Sequence, residues 1–330
     1  MILVTGASGF VGAHLLEYLA GQSVPIRALY HKQDPPPQLK ALPQVEWVQA
    51  DLLDIYDVES VMKGISHIYH CAAIISFNPR RREEMIHVNT EITSNLVNEA
   101  LDTGVKKLVH ISSIAALGRN GIGKEINEEA QWEESAHNSG YGMSKYAAEL
   151  EVWRGIGEGL EACILNPGII LGAAMSAKGW EQGSARLMKT AHNEFPFYTD
   201  GVTAFVDVND VVRAAVSLMQ SEITGERFIL SAGNKPFREI LGQMAVALGK
   251  KPAGIHAGNF LTELVWRFAG LKSRLTGSPA FLTKETARNA QSQSIYKNDK
   301  ILQFLPDFKY TPLEETITQM AHSYLKSGAA

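Results

Sequence analysis

Met1-Ile2-Leu3-Val4-Thr5-Gly6-Ala7-Ser8-Gly9-Phe10-Val11-Gly12 opens the chain. Met1–Val4 is a short apolar run, too short for a helix and suited to a buried parallel strand. Gly6, Gly9 and Gly12 follow at once. Phe10, Val11, Leu15, Leu16 and Leu19 then recur at helical spacing, which predicts a helix from about Phe10. Strand, glycine loop and helix in that order make a cradle for a dinucleotide pyrophosphate. The glycines permit a tight turn and close backbone approach, and the helix N-terminus offers free N–H groups and partial positive charge. Gly6, Ser8, Gly9, Phe10, Val11 and Gly12 are the residues expected there.

Working outward, strand-like runs at Val24–Leu29, Val45–Gln49, Ser66–Ala72, Lys107–Ile111 and Leu160–Leu165 alternate with helical patterns. Those patterns cover Ile55–Lys63, Glu83–Thr103 and Gly142–Gly155. Such alternation predicts an α/β fold, a Rossmann-type doubly wound parallel sheet. Gln33–Pro37, with three prolines in a row, reads as a surface loop. After Pro167 the pattern loosens, and Met175–Gly183 is ambiguous. Thr203–Val206 and Arg227–Leu230 read as strands and Asn209–Met219 as an amphipathic helix. Further helices are expected over Phe237–Leu248, Phe260–Ala269, Lys284–Ala290 and Leu313–Leu325. Residues 1–166 are expected to form the nucleotide-binding domain. Residues 167–330 are expected to form a smaller, mostly helical substrate lobe, with part of 203–231 returning to the sheet.

The 330 residues are 45% hydrophobic with a net charge of −4, enough to bury a sizeable core. The mild acidity argues against a nucleic-acid or anionic-membrane footprint. Arg80-Arg81-Arg82 is followed by Glu83-Glu84 and reads as a solvated helix start. The two cysteines, Cys71 and Cys163, lie in apolar runs and read as buried thiols rather than a disulfide. Without a Cys/His cluster no metal site is expected. The first strand begins at Met1 with no signal peptide before it, and apolar stretches are too broken for a membrane span. A cytoplasmic protein is the expectation.

Ser112 and Ser113 end the strand Lys107–Ile111, and Tyr141 and Lys145 stand one turn apart on the following helix. A tyrosine hydroxyl titrates near ~10 and is a poor acid or base at neutral pH. A nearby ammonium stabilises the phenolate and lowers that value. Tyr141 is therefore the candidate proton donor or acceptor for a substrate oxygen, with Ser113 holding that oxygen and Lys145 assisting. Downstream of a glycine loop, this set points to hydride transfer.

These motifs resemble the NAD(P)-dependent epimerase/dehydratase family, the extended short-chain dehydrogenase/reductases, over nearly the full chain. Thr5–Gly12 resembles the family's glycine loop, and Ile111–Gly118 the strand end whose catalytic hydroxyl falls on Ser113. Tyr141-Gly142-Met143-Ser144-Lys145 matches its Tyr-x-x-x-Lys segment. The resemblance implies that Asp51 and Leu52 contact adenine, that Cys71, Ala72 and Ala73 lie beside the adenosine ribose, and that Lys145 also bonds the nicotinamide ribose. It implies that Asn166, Pro167, Gly168 and Ile169 form the turn over the nicotinamide, and that Asn89 steadies the central strands. Asp51 also fits a helix cap. Dehydratases of the family resemble one another in a Thr-Asp-Glu where this chain has Ser113-Ile114-Ala115, which argues against sugar dehydration.

The second strand closes on Leu29-Tyr30-His31-Lys32 with no acid to hold the ribose of NAD, and His31 and Lys32 suit a 2′-phosphate. NADP(H) is favoured, with NAD(H) possible and Asp34 as the reservation. The first reading of function is reversible reduction of a carbonyl on a small organic substrate, in the manner of dihydroflavonol reductase-like and 3β-hydroxysteroid dehydrogenase-like members. Alternatives are a nucleotide-sugar epimerase working on a retained NAD and a non-catalytic NAD(P)-binding regulator. The resemblance also implies a homodimer through Glu83–Thr103 and Gly142–Gly155.

Overall fold

The computed structural model describes residues 1–22, 24–118, 125–133, 138–258 and 290–329. Its first half runs β1 (Ile2–Thr5), α1 (Phe10–Leu19), β2 (Ile26–Tyr30), α2 (Pro37–Lys40), β3 (Val45–Gln49), α3 (Ile55–Met62), β4 (His67–His70), α4 (Arg82–Asp102) and β5 (Lys107–Ile111). Then come β6 (Glu125–Ile126), α5 (Gly140–Gly157), β7 (Ala162–Pro167), β8 (Ile169–Leu171), α6 (Arg186–His192), β9 (Phe197–Tyr198), β10 (Val202–Asp207), α7 (Val208–Met219), β11 (Glu226–Leu230), β12 (Gly233–Pro236) and α8 (Phe237–Ala247).

Seven strands form one sheet in the order β11-β7-β5-β4-β1-β2-β3, and every pairing is parallel. Successive residues of a strand face opposite sides. Val4, Val109 and Leu165 accordingly pack with Leu15, Leu16, Val211 and Val212 of α1 and α7. Their neighbours Leu3, Leu108 and Ile164 pack with Val58, Leu96, Val97 and Val152 of α3, α4 and α5. Burial on both faces is why these strands read as continuous apolar runs. The strand order reverses between β1 and β4, so the crevice at their carboxyl ends is where a doubly wound sheet takes its ligand.

The strand ends differ from the expected ones for local reasons. β2 starts at Ile26, because Pro25 has no N–H for the ladder. β4 stops at His70, where the backbone of Cys71 and Ala72 meets the glycine loop. β7 starts at Ala162, because Leu160 closes the turn after α5 by donating to the Gly155 carbonyl at 2.8 Å. The proline loop ends early, with Pro37 starting α2.

Beyond Pro167 the structure carries more strand than the pattern suggested. β8, β10 and β12 form a separate three-stranded sheet. Trp180, Met188, Phe205, Met244, Met320 and Tyr324 form a core beside it. Met175–Gly183 resolves into a 3-10 turn at Ala177–Glu181 that buries Trp180. The expected return to the main sheet is β11, which pairs with β7. The expected final helix runs Leu313–Lys326. The helices expected over 260–269 and 284–290 lie outside the described residues, apart from Ala290. Among the described residues, no helix is long and apolar enough to cross a membrane.

Candidate active site

The glycine loop turns through Gly6, whose φ of +61° favours glycine. A Cβ there would sit 2.7 Å from the Ala72 backbone, so the loop presses directly on the chain leaving β4. At Gly12 a Cβ would sit 2.3 Å from the Gly6 carbonyl oxygen, so α1 packs onto its own loop. Gly9 caps α1 without a side-chain hydrogen bond, and the first turn holds no acid. Those free N–H groups and the crowded glycine cradle fit a dinucleotide pyrophosphate. Ser8 is buried in the loop, its carbonyl accepting from Gln33 Nε2 at 3.1 Å. Phe10 and Val11 begin α1, with the Phe10 ring set edge-on against His14 at 5.0 Å.

His31 and Lys32 are exposed at the end of β2. The His31 imidazole lies 3.6 Å from the Asp51 carboxylate, so two of the expected cofactor residues face each other. Asp51 does not cap α3: that role falls to Asp54, while Asp51 accepts from Leu53 N at 3.0 Å. Leu52 is buried, its carbonyl held by Asn95 Nδ2 at 3.0 Å. Arg27 is engaged elsewhere, with Glu46 at 3.0 Å and the Val61 and Lys63 carbonyls. Cys71, Ala72 and Ala73 run half-buried past the glycine loop, with Ala72 N donating to Thr5 Oγ1 at 3.2 Å. Asn89 bonds both backbone groups of Ile74 and donates to Ser144 Oγ at 3.1 Å, tying α4 to that strand exit and to α5.

Ser113 caps the 3-10 turn Ile114–Ala116. Ser139 caps α5 by accepting from Gly142 N at 2.8 Å. The absence of a side chain at Gly142 lets α5 start against that turn, since a Cβ would lie 2.6 Å from the Ala115 carbonyl oxygen. This contact brings Tyr141 beside Ser113, close enough for the serine hydroxyl to favour the phenolate. Burial raises the Tyr141 phenol above its ordinary value, and the nearby Ser113 hydroxyl opposes that rise. Phe77 stands edge-on to the Tyr141 ring at 5.9 Å and remains 37% exposed, an apolar flank beside the hydroxyl.

Lys145 is buried and its ammonium donates to the Ile111 carbonyl at 2.9 Å. Burial pulls its pKa down to about 8, against the opposing pull of Glu149 and Cys71. The sequence alone placed its charge on the phenol. In this geometry the ammonium is committed to the β5 carbonyl, and burial dominates the tyrosine.

Asn166 turns its side chain inward, donating to the Ser113 carbonyl at 3.0 Å and to Glu149 at 2.5 Å. Gly168 N donates to the Leu230 carbonyl at 2.9 Å, and Ile169 starts β8 opposite Phe205, so Pro167–Ile169 crosses from one sheet to the other. Glu149, Arg227 and Phe77 were missed from sequence. Glu149 had a signal, since Tyr141, Lys145 and Glu149 repeat every four residues along one helix face. Arg227 and Phe77 had none.

A glycine cradle at the switch point and a Ser-Tyr-Lys cluster at the end of β5 thus share one edge of the sheet. Residues 2–231 match the NAD dependent epimerase/dehydratase family. The chain belongs to that family. It is an NAD(P)-dependent enzyme of the extended short-chain dehydrogenase/reductase type. It is similar to sterol demethylase protein B of Methylococcus capsulatus, at 31% identity over 245 residues covering 72% of each chain. It is also similar to a putative dihydroflavonol 4-reductase of Synechocystis, at 31% identity covering 74% of this chain and 72% of that one. Among solved structures, gox2253 superposes with a TM-score of 0.83 at 26% identity, covering 100% of this chain and 99% of that one.

Proposed function

We propose that this enzyme interconverts a carbonyl and an alcohol on a small organic substrate, with Tyr141 as the acid/base group. The observation that carries this reading is the tight start of α5 on the Ile114–Ala116 turn, which sets Tyr141 beside Ser113 at the carboxyl end of β5, with Lys145 buried one turn behind and bonded to the Ile111 carbonyl. Ser113 holds the substrate oxygen and Tyr141 gives it a proton or takes one. Lys145 brings positive charge that favours the phenolate once substrate and cofactor exclude water. The dinucleotide supplies or accepts the hydride at the adjacent carbon. Gly6–Gly12 would hold its pyrophosphate, Cys71–Ala73, Asp51 and Leu52 the adenosine side, and Pro167–Ile169 the nicotinamide side. The relative named a putative dihydroflavonol 4-reductase supports carbonyl reduction as the reaction class.

NADP(H) is the proposed partner, because β2 ends on exposed His31 and Lys32 rather than on an acid. Residues beyond 167, apart from α7 and β11, form the substrate lobe in this reading. A homodimer through α4 and α5 belongs to it too, with Leu150 (47% exposed) in the interface.

The test is to denature purified protein, identify any released nucleotide, and screen carbonyl compounds with NADPH. NADP(H) in free exchange together with turnover supports the proposal. Stoichiometric NAD that does not exchange with added cofactor sinks it in favour of an epimerase, since internal redox keeps the hydride in place.

A further inference from the structure

Glu149 lies on α5 one turn past Lys145 and is only 1% exposed. Ser112 Oγ donates to its Oε1, and Asn166 Nδ2 donates to the same oxygen at 2.5 Å. That Asn166 nitrogen also donates to the Ser113 carbonyl at 3.0 Å. A carbonyl only accepts, so the amide must present its NH2 group here, and Glu149 must accept from it. Glu149 Oε2 has no hydrogen-bond partner and faces Arg227 Nη1 at 3.6 Å. Arg227 in turn donates to the Glu128 carbonyl at 2.7 Å and the Ala130 carbonyl at 2.9 Å. A carboxylate is costly to bury, and packing alone would be served by a neutral side chain of the same shape.

We infer that Glu149 is a positioning residue for Lys145 and Ser113: its buried carboxylate ties the carboxyl ends of β5 and β7 and the start of β11 to the helix face that carries Tyr141 and Lys145. This rests on the roles proposed for those residues above.

The groups around Lys145 single out this carboxylate. From β4 comes His70, from the chain just after it Cys71, and from β5 His110. Burial drives His70 down to about 3 and His110 well below its ordinary value, so both rings are neutral at neutral pH. Burial drives Cys71 up to about 12, so it is a thiol. Asn89 and Thr93 on α4 are neutral, and Tyr141 on the same helix is raised. Glu149 is the one anion facing Lys145 among the described residues. It counters the burial that pulls the ammonium down. Burial raises the Glu149 carboxyl above its ordinary range on balance, and Ser112, Arg227, Asn166 and Lys145 oppose that rise and favour the ionised form.

The experiment follows the Lys145 ammonium directly. Protein carrying [ε-13C]lysine is titrated by NMR, with the resonance assigned by its loss in Lys145→Met. The midpoint in the parent is expected near 8. In Glu149→Gln it falls by about one pH unit or more, and the alkaline limb of the turnover profile moves to lower pH with it. Glu149→Asp, which keeps the charge, restores both toward the parent. Arg227→Gln gives a second route, since Glu149 then takes up a proton and the Lys145 midpoint falls again. A midpoint unmoved in both Glu149→Gln and Arg227→Gln overturns the inference. The titration needs no turnover, so it fails or succeeds separately from the acid/base role of Tyr141.

Discussion

The ammonium of Lys145 donates to the backbone carbonyl of Ile111 at 2.9 Å, anchoring α5 to the end of β5. The residue proposed to assist the chemistry is thereby also a buried cation in the core of the sheet, where burial lowers its pKa from 10.5 to about 8. A lysine depressed by folding is charged in the unfolded chain and neutral in the folded one between about 8 and its ordinary value. The unfolded state binds more protons across that window, so stability rises with pH there. Below it the full cost applies, about 3 kcal/mol. Lys145→Met removes this cost along with activity. The Tm of the variant minus that of the parent should fall steadily as pH is raised from 8 to 10. A difference that stays flat across that range would show that Lys145 is not a depressed, buried cation.

Tyr141→Phe removes one hydroxyl and leaves the ring against Phe77. Turnover should drop about a hundred- to ten-thousand-fold, the range of general acid–base catalysis. Dinucleotide affinity, measured by fluorescence titration, should stay within a few-fold of the parent. Ser113→Ala should cost less, because the substrate oxygen keeps its proton partner. Unchanged turnover in Tyr141→Phe would refute the acid/base assignment.

Most of the nucleotide half was legible because its signals are local. β3 and β5 fall on the residues read from the pattern, and α4 lies within a residue of it. An apolar edge strand, a parallel strand buried on both faces and a long amphipathic helix carry their identity in their own composition. β12 is the opposite case. Its residues Gly233-Asn234-Lys235-Pro236 have no strand character, and they are extended because they pair with Val202–Phe205 of β10. The site divides in the same way. Tyr141 and Lys145 were legible from helical spacing, as Glu149 would have been. The inward turn of Asn166 and the reach of Arg227 depend on β11 pairing beside β7, which no local pattern announces.

In the proposed reading His31 and Lys32 carry a preference for NADP(H). NADPH should bind several-fold tighter than NADH, and replacing both residues by alanine should bring the two affinities together. The proximity of Asp51 to His31 adds a direction. Asp51→Asn removes a carboxylate that repels a 2′-phosphate and competes for the imidazole, so it should widen the preference for NADPH. Equal affinities in the parent enzyme would overturn this assignment.

Gly142 sets the register of the proposed catalytic face. A Cβ there would stand 2.6 Å from the Ala115 carbonyl oxygen, a backbone atom that has no flexible side chain to swing away, and 3.0 Å from Ser139 Oγ. Gly142→Ala must therefore lift the first turn of α5 off the Ile114–Ala116 turn, and Tyr141 is in that turn of the helix. The rest of α5 stays packed on α4, where Gly155 meets Val97. The expected result is a local displacement with a folded protein: far-UV circular dichroism unchanged, Tm lowered modestly, and turnover reduced about a hundred-fold, the cost of a displacement near 1 Å at a reacting group. Lys145 lies one turn further in and keeps its bond to Ile111, so its titration midpoint should stay near 8. Turnover lost together with that midpoint would mean that the entire helix had moved. Turnover fully retained would mean that the contact with Ala115 does not place Tyr141.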